Sequence, residues 1–256
     1  MKYPYLKYYW AGLTKYKVHS PFVFEFLTEV FEDERNYHFF GVIENYRRNL
    51  LGTGDKILLD NQPITINKIA KSQEINANLG KVLFKTVHKY KPNNLFEIGT
   101  SLGISTLYQA TPNSKAKVLT LESEETLAKA TQQFFKRLGT KNIALLSGSI
   151  NKNLPEALTK LKKVEQVFFN GFWGKKESLA YFEACLKYAS PNTIFVFRSP
   201  YQSEESIDFW ETIKQDKQVR LSIDIYHLGF LFLRAEQKEV AHYQLIESWK
   251  KPWAVY

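Results

Sequence analysis

The chain has 256 residues, 44% of them hydrophobic and 24% charged, which is enough apolar material for one large domain or a domain with an appendage. Its 35 Lys and Arg against 26 Asp and Glu give a formal charge of +9, a balance that permits an acidic partner without requiring one. No apolar run approaches the roughly 20 residues of a membrane span; no secretory apolar stretch opens the chain, and the single cysteine, Cys185, excludes an internal disulfide, so a cytoplasmic protein with no membrane partner is expected.

Residues 1–11 predict a short helix with Tyr3, Leu6 and Trp10 on its apolar face. Val18-His19-Ser20-Pro21 reads as a helix start, with Ser20 as cap and Pro21 in the first turn. Phe22, Phe26, Leu27, Val30 and Phe31 follow at helical spacing. His19 is a candidate polar group for a pocket, and equally a satisfied structural histidine. Residues 39–51 continue as helix, 52–55 as a turn, and 56–67 fit no single pattern. Residues 64–73 and 79–90 read as helices. The first 90 residues thus form a helical, aromatic-rich N-terminal cap region, itself a candidate homodimer interface.

From residue 91 to 235 strands and helices alternate as in a core of parallel strands. Strands are expected at 95–98, 117–121, 143–146, 166–169 and 193–197. Helices are expected at 104–110, 126–138, 153–161, 176–188 and 204–215, the second burying Leu127, Ala130, Phe134 and Leu138. Two β-rich runs, 219–225 and 228–234, read as a closing hairpin. Residues 236–256 form a polar tail whose aromatics, Trp249, Trp253 and Tyr256, are expected to pack on the core.

The stretch 94–110, NLFEIGTSLGISTLYQA, organises this core. An apolar strand carrying Glu97 turns on Gly99-Thr100-Ser101-Leu102-Gly103 and enters a helix. The glycines allow a sharp turn and a close approach, and amides at a helix start can receive a polar ligand. The spacing is GxxxG, not the dinucleotide GxGxxG, and by itself also fits a purely structural turn.

The wording FEIGTSLGIS resembles motif I of the class I methyltransferases that use S-adenosylmethionine, in the branch around small-molecule O-methyltransferases. HSPFVFEF is similar to a segment near the start of a bacterial subfamily of these proteins common in Bacteroidota. The resemblance implies an α/β, Rossmann-like fold with a seven-stranded, mostly parallel sheet in the order 3-2-1-4-5-7-6 and strand 7 antiparallel. It implies S-adenosylmethionine as cofactor, with Glu97, Gly99, Thr100, Ser101 and Gly103 at motif I, Glu122 as the ribose acid, and Ser149 where the family usually has an adenine-contacting Asp.

The rim departs from the family. Metal-dependent relatives carry a metal-binding Asp where Asn170 stands, and two acids where Arg198 and Ser199 stand. Mg²⁺ wants several hard, preferably anionic oxygens, and Arg198 repels it, so no metal is expected. His19, Asn170 and Arg198 are the candidate catalytic residues, and Arg198 suits a small anionic acceptor. Two alternatives stand beside methyl transfer: a catalytically inactive relative that binds a ligand or protein, and a nucleic-acid partner attracted by the basic charge and by Trp249-Lys250-Lys251-Pro252-Trp253.

Overall fold

The computed structural model describes residues 5–59 and 62–255. Asp60, Tyr3 and Tyr256 lie outside the described residues. The chain forms two compact units, Glu34–Lys162 and the combination of Met1–Asp33 with Lys163–Tyr256.

The second of these begins with α1 (Tyr5–Ala11) and α2 (Pro21–Phe26), which runs on through a wider turn, Leu27–Phe31. Ser20 caps α2 as expected, its hydroxyl accepting from Val23 N–H at 3.5 Å. The face of α1 differs from the expected one. Tyr8 is its buried residue, while Leu6 and Trp10 are exposed. The reason is polar: the Tyr8 hydroxyl shares its one proton between the carbonyls of Asp224 and Leu245, both at 2.8 Å, and that contact turns Tyr8 inward.

The unit Glu34–Lys162 holds α3 (His38–Gly52), the antiparallel pair β1 (Lys56–Leu59) and β2 (Gln62–Thr65), α4 (Ile66–Ser72) and α5 (Ala77–Tyr90). It continues with β3 (Asn94–Ile98), α6 (Ile104–Ala110), β4 (Lys117–Glu122), α7 (Glu125–Arg137), β5 (Ile143–Ser147) and α8 (Ile150–Leu161). Asn76 starts α5 by accepting from Leu79 N–H, and the left-handed Lys91 ends it ahead of Pro92. β3, β4 and β5 are parallel with β4 in the middle, so their C-terminal ends share one edge. Helix α7 buries Leu127, Ala128, Thr131 and Phe135, a stripe turned from the expected one, and Leu138 is exposed. An apolar count cannot see this, because a threonine with a hydrogen-bonding task sits at its centre.

The remaining chain supplies β6 (Gln166–Phe169), α9 (Lys175–Leu186), β7 (Ile194–Arg198), α10 (Glu204–Lys214), β8 (Leu221–Asp224), β9 (Leu228–Phe232) and β10 (Ala241–Gln244). β6 and β7 are parallel, β9 is antiparallel to both β7 and β8, and β10 pairs in parallel with β8. The order within this unit is β6-β7-β9-β8-β10. The two units therefore reproduce the expected runs 3-2-1 and 4-5-7-6, and β10 is a strand beyond the expected seven. The tail also holds α1: Leu13 N–H donates to Gln244 O and Ile246 N–H to Leu13 O.

The core is apolar along β3, β6 and β7. Leu95, Phe96, Ile98, Val167, Phe168, Phe195 and Val196 are fully buried. Such continuous runs are what strands covered on both faces require. Cys185 is buried on α9, where desolvation raises its thiol pKa, as a structural cysteine should be.

Candidate active site

Motif I forms a turn whose every bend is accounted for. Gly99 has φ 91°, Ser101 φ 51° and Gly103 φ 83°. The N–H groups of Gly99 and Thr100 both donate to Leu121 O, at 2.9 and 3.1 Å, which ties the turn to the end of β4. Gly103 then opens α6. A Cβ there would lie 2.5 Å from Phe135 Cζ and 3.0 Å from Thr131 Cγ2, so this glycine is fixed by the approach of α7.

Side chains hold both sides of the turn. Ser101 N–H donates to Glu122 Oε2 at 2.7 Å, and Ser101 O accepts from the Thr131 hydroxyl at 2.7 Å. Leu102 N–H donates to Glu74 Oε1 at 2.7 Å, and Leu102 O accepts from the Tyr46 hydroxyl at 2.9 Å. Gln73 Oε1 accepts from the Ser101 hydroxyl at 3.3 Å. Sequence reasoning missed Glu74, Gln73, Thr131 and Tyr46. Gln73 and Glu74 sit in an ordinary polar link between α4 and α5, with no spacing that points to a turn nearly thirty residues on.

Glu97 lies beneath the turn, fully buried. Its Oε1 accepts from the Ser105 hydroxyl at 2.7 Å and Gln109 Nε2 at 3.1 Å. Its Oε2 accepts from the hydroxyls of Thr106 and Thr120. Burial pushes its pKa up from 4.5 to about 7, against the lowering by these hydroxyls. The carboxyl thus joins β3, β4 and α6, and its role in the cradle is to fix the turn's position.

Glu122 ends β4 and is nearly buried. Besides Ser101 N–H on Oε2, Oε1 accepts from Glu124 N–H at 3.1 Å, with the Ser123 hydroxyl at 3.5 Å. A carboxylate has about four lone-pair positions, so with the two backbone N–H groups bound and the long Ser123 contact given up, one position on each oxygen remains for a diol. Gly148 N–H donates to Glu122 O at 2.8 Å, which brings Gly148-Ser149 from the end of β5 beside it. Ser149 is exposed, and starts α8 without a side-chain cap bond. The residues Gly99, Thr100, Ser101, Gly103, Glu122 and Ser149 are therefore gathered at the C-terminal edge of three adjacent parallel strands, the usual place for a ligand in an open α/β sheet.

The other unit has its own polar rim. Asn170 and Arg198 follow each other across the β6–β7 pair, and Arg198 Nη1 donates to Asn170 Oδ1 at 3.0 Å. Beside them Ser199, with φ 52°, donates its N–H to His227 O at 2.8 Å. The Tyr201 hydroxyl donates to Asp224 Oδ2 at 2.5 Å and accepts from Gln244 Nε2 at 3.1 Å. Burial pushes Asp224 up from 3.8 to about 6 and raises Tyr201 further above its ordinary range. Asp224 Oδ1 also accepts from the N–H of Tyr226, whose φ is 69° and whose ring stacks on Tyr201 at 5.4 Å. Left-handed geometry at so bulky a residue costs about 1–3 kcal/mol, and these contacts maintain it.

His19 is not brought to this rim. It is exposed, just before α2, and Phe22 packs on Phe232 at 5.0 Å. Phe232 pairs with Ile194 at the start of β7, whereas Arg198 ends that strand.

No protein-family model matches the chain. Over 168 residues it is 26% identical to a catechol O-methyltransferase from Niastella koreensis, which spans 63% of this chain and 73% of the relative. The O-methyltransferase from Bacillus cereus, solved in complex with S-adenosylhomocysteine, matches with a TM-score of 0.56 at 18% identity over 78% of this chain and 93% of that one. The O-methyltransferase TomG from Streptomyces achromogenes, involved in tomaymycin synthesis and solved with S-adenosylmethionine, matches with a TM-score of 0.57 at 15% identity over 78% and 92%. The chain has the Rossmann-like α/β fold of the class I methyltransferases, and the relative it resembles in sequence is named for the same chemistry.

Proposed function

We propose that the chain is an S-adenosylmethionine-dependent methyltransferase that acts in the cytoplasm on a small anionic acceptor without a metal ion. The observation that carries this reading is the bond from Ser101 N–H to Glu122 Oε2, which couples the motif I turn to an acid at the adjacent strand end. A turn kept only for packing has no need of that acid, while a ribose-binding cradle needs both parts held in register.

S-adenosylmethionine supplies an electrophilic methyl group on a positively charged sulfur. Glu122 would hold the ribose hydroxyls on the lone pairs that Ser101 and Glu124 leave. The Ser149 hydroxyl, exposed at the start of α8, would hydrogen-bond the base. Glu97, Glu74 and Thr131 hold the turn rigid, so that little ordering remains to be done on binding.

Arg198, oriented by Asn170, holds the carboxylate or phosphate of the acceptor. A guanidinium there also favours ionisation of a nearby acceptor oxygen, so its proton leaves to solvent without a strong protein base. The same cation, with a neutral amide as its neighbour, makes a poor place for Mg²⁺.

The test is transfer of a labelled methyl group to a panel of carboxylate- and phosphate-bearing acceptors, with and without EDTA, for the wild type and Arg198→Gln. Transfer that ignores EDTA and falls at least about ten-fold in the variant is expected, since a charged hydrogen bond is worth about 1.5–3 kcal/mol. Abolition by EDTA would overturn metal independence. Equal rates for the two proteins would remove Arg198 from acceptor binding.

A further inference from the structure

A cavity of about 480 Å³ opens within the unit Glu34–Lys162, between α3, the end of α6 and the links that lead into β4 and β5. Those links enter the strands at their N-terminal ends, whereas Glu122 ends β4 and Ser149 follows β5, so the cavity is separate from the cofactor cradle. Its floor is Ile43, Leu107 and Ala110, all buried. Its walls are Phe39, Val42 and Leu138, large apolar side chains left 43%, 45% and 39% exposed. The volume lies in the range that encloses a small ligand.

The polar side chains of the lining are largely occupied. The Thr111 hydroxyl donates to Leu107 O at 2.9 Å and the Thr140 hydroxyl to Phe135 O at 3.0 Å. Asn142 Nδ2 donates to Ala110 O at 2.9 Å and to Asn113 O at 3.3 Å. With these donors engaged, the body of a ligand here gains mainly by burying apolar surface.

One charge is left over. Among the described residues lining the cavity, Lys141 is the one charged side chain. It is exposed and makes no ion pair among the described residues. The helix ends beside it are capped without it. Ala110 O accepts from Asn142 Nδ2, and the carbonyls of Phe134, Phe135 and Lys136 accept from the N–H groups of Leu138, Thr140 and Gly139.

The surroundings have the same sign. Residues 39–43, 107–115 and 136–142 carry Lys115, Lys136, Arg137 and Lys141 and no acid. The acid that follows on α3, Glu44, is held by Arg47 at 3.0 Å and by the Tyr108 hydroxyl at 2.7 Å. Lys115 and Lys136, like Lys141, make no ion pair among the described residues. A second copy of the chain seated on the same groove would bring these cations against each other, because a two-fold interface uses one patch twice. A ligand with an apolar body and one anionic end meets both the walls and the cation.

We propose that this cavity binds a medium-chain carboxylate, with its hydrocarbon chain against Leu107, Ala110, Phe39, Val42 and Leu138 and its carboxylate on Lys141. This stands independently of the methyltransferase reading.

The test is calorimetric titration of the full chain with octanoate, decanoate and, as a neutral probe, octanol, with amide exchange recorded in the presence of decanoate. The wild type is compared with Lys141→Gln and with a Phe39→Ser, Leu138→Ser double variant, both matching its circular dichroism. Decanoate is expected to bind about ten-fold more tightly than octanoate, since it buries two further methylenes, and to slow exchange at residues 107–114 and 138–142. Lys141→Gln is expected to weaken octanoate about three-fold or more and to leave octanol unchanged. The double variant is expected to weaken all three probes at least about ten-fold. No binding of decanoate at millimolar concentration to the folded wild type would overturn the proposal. Equal affinity in the double variant would overturn it too, and so would an octanoate affinity that falls no further than that of octanol in Lys141→Gln. A concentration-dependent dimer that the double variant dissolves would assign the groove to a second copy and equally overturn the proposal.

Discussion

Glu97→Gln is expected to stabilise the protein at about pH 8 and to leave it nearly unchanged at about pH 5. The carboxyl is fully buried, and desolvation outweighs its hydroxyl donors, so its pKa rises from 4.5 to about 7. Below the unfolded value both states carry the proton and nothing is lost. As pH rises from 4.5 towards about 7, the folded chain keeps a proton that the unfolded chain has released, and stability falls. Above the folded value the whole cost is present, and the gap between 4.5 and about 7 corresponds to about 3 kcal/mol. Glutamine avoids this cost and can still make the contacts. Its oxygen can accept from Ser105 and Gln109, and its NH₂ can donate to Thr106 and Thr120. Thr120 can then turn its own proton to Thr100, 2.6 Å away. The assay is urea unfolding of both proteins across this pH range. Asp224, also raised, gives the wild type a further fall of the same sign, but it is common to both proteins and cancels in their difference. Stability curves that run parallel with pH, or a deficit in the variant that is the same at every pH, would refute the reasoning.

Gly103→Ala is expected to cost about 2–4 kcal/mol in urea unfolding, from overpacking against Phe135 added to a left-handed backbone at φ 83°; a loss below about 0.5 kcal/mol would show that α7 moves freely away. Tyr201→Phe removes the hydroxyl that bonds the buried Asp224 and is expected to cost about 1–3 kcal/mol above about pH 6, with a smaller loss once the acid is protonated; a pH-independent loss would contradict it. Glu74→Ala leaves Leu102 N–H without its carboxylate and is expected to cost about 1–3 kcal/mol and to loosen motif I, read as faster amide exchange at residues 99–103 with β7 unchanged.

The alternating core was legible because each of its strands is a short apolar run and a helix-spaced run follows it. β4 and β5 appear within a residue of their expected limits. The elements that were not legible lack that signature. β10, with the sequence Ala241-His-Tyr-Gln244, lies at a sheet edge, pairs through its backbone, and needs no apolar pattern. β1 and β2 form a small hairpin where an ambiguous stretch merged with a helix pattern. At the candidate site the glycines stood out in the wording of motif I, and Glu122 as the acid that the resemblance expects at the end of the next strand. Glu74 and Tyr46 could not, since each meets the turn through a hydrogen bond whose partner is set by the tertiary fold. The α1 face differs for a related reason. Its apolar spacing favours Leu6 and Trp10, but the buried hydroxyl of Tyr8, shared between two carbonyls, turns that residue inward.

The most direct measurement is calorimetric titration of the purified chain with S-adenosylmethionine and S-adenosylhomocysteine, for the wild type and Glu122→Gln. Glutamine keeps an acceptor for Ser101 N–H, so the turn should hold while the carboxylate and its bond from Glu124 N–H are lost. The account predicts micromolar binding to the wild type and at least about ten-fold weaker binding to the variant, with the variant losing no more than about 1.5 kcal/mol in urea unfolding and staying folded under the titration conditions. No heat with either ligand from a folded wild-type protein, or equal affinity in the variant, would contradict the cofactor site.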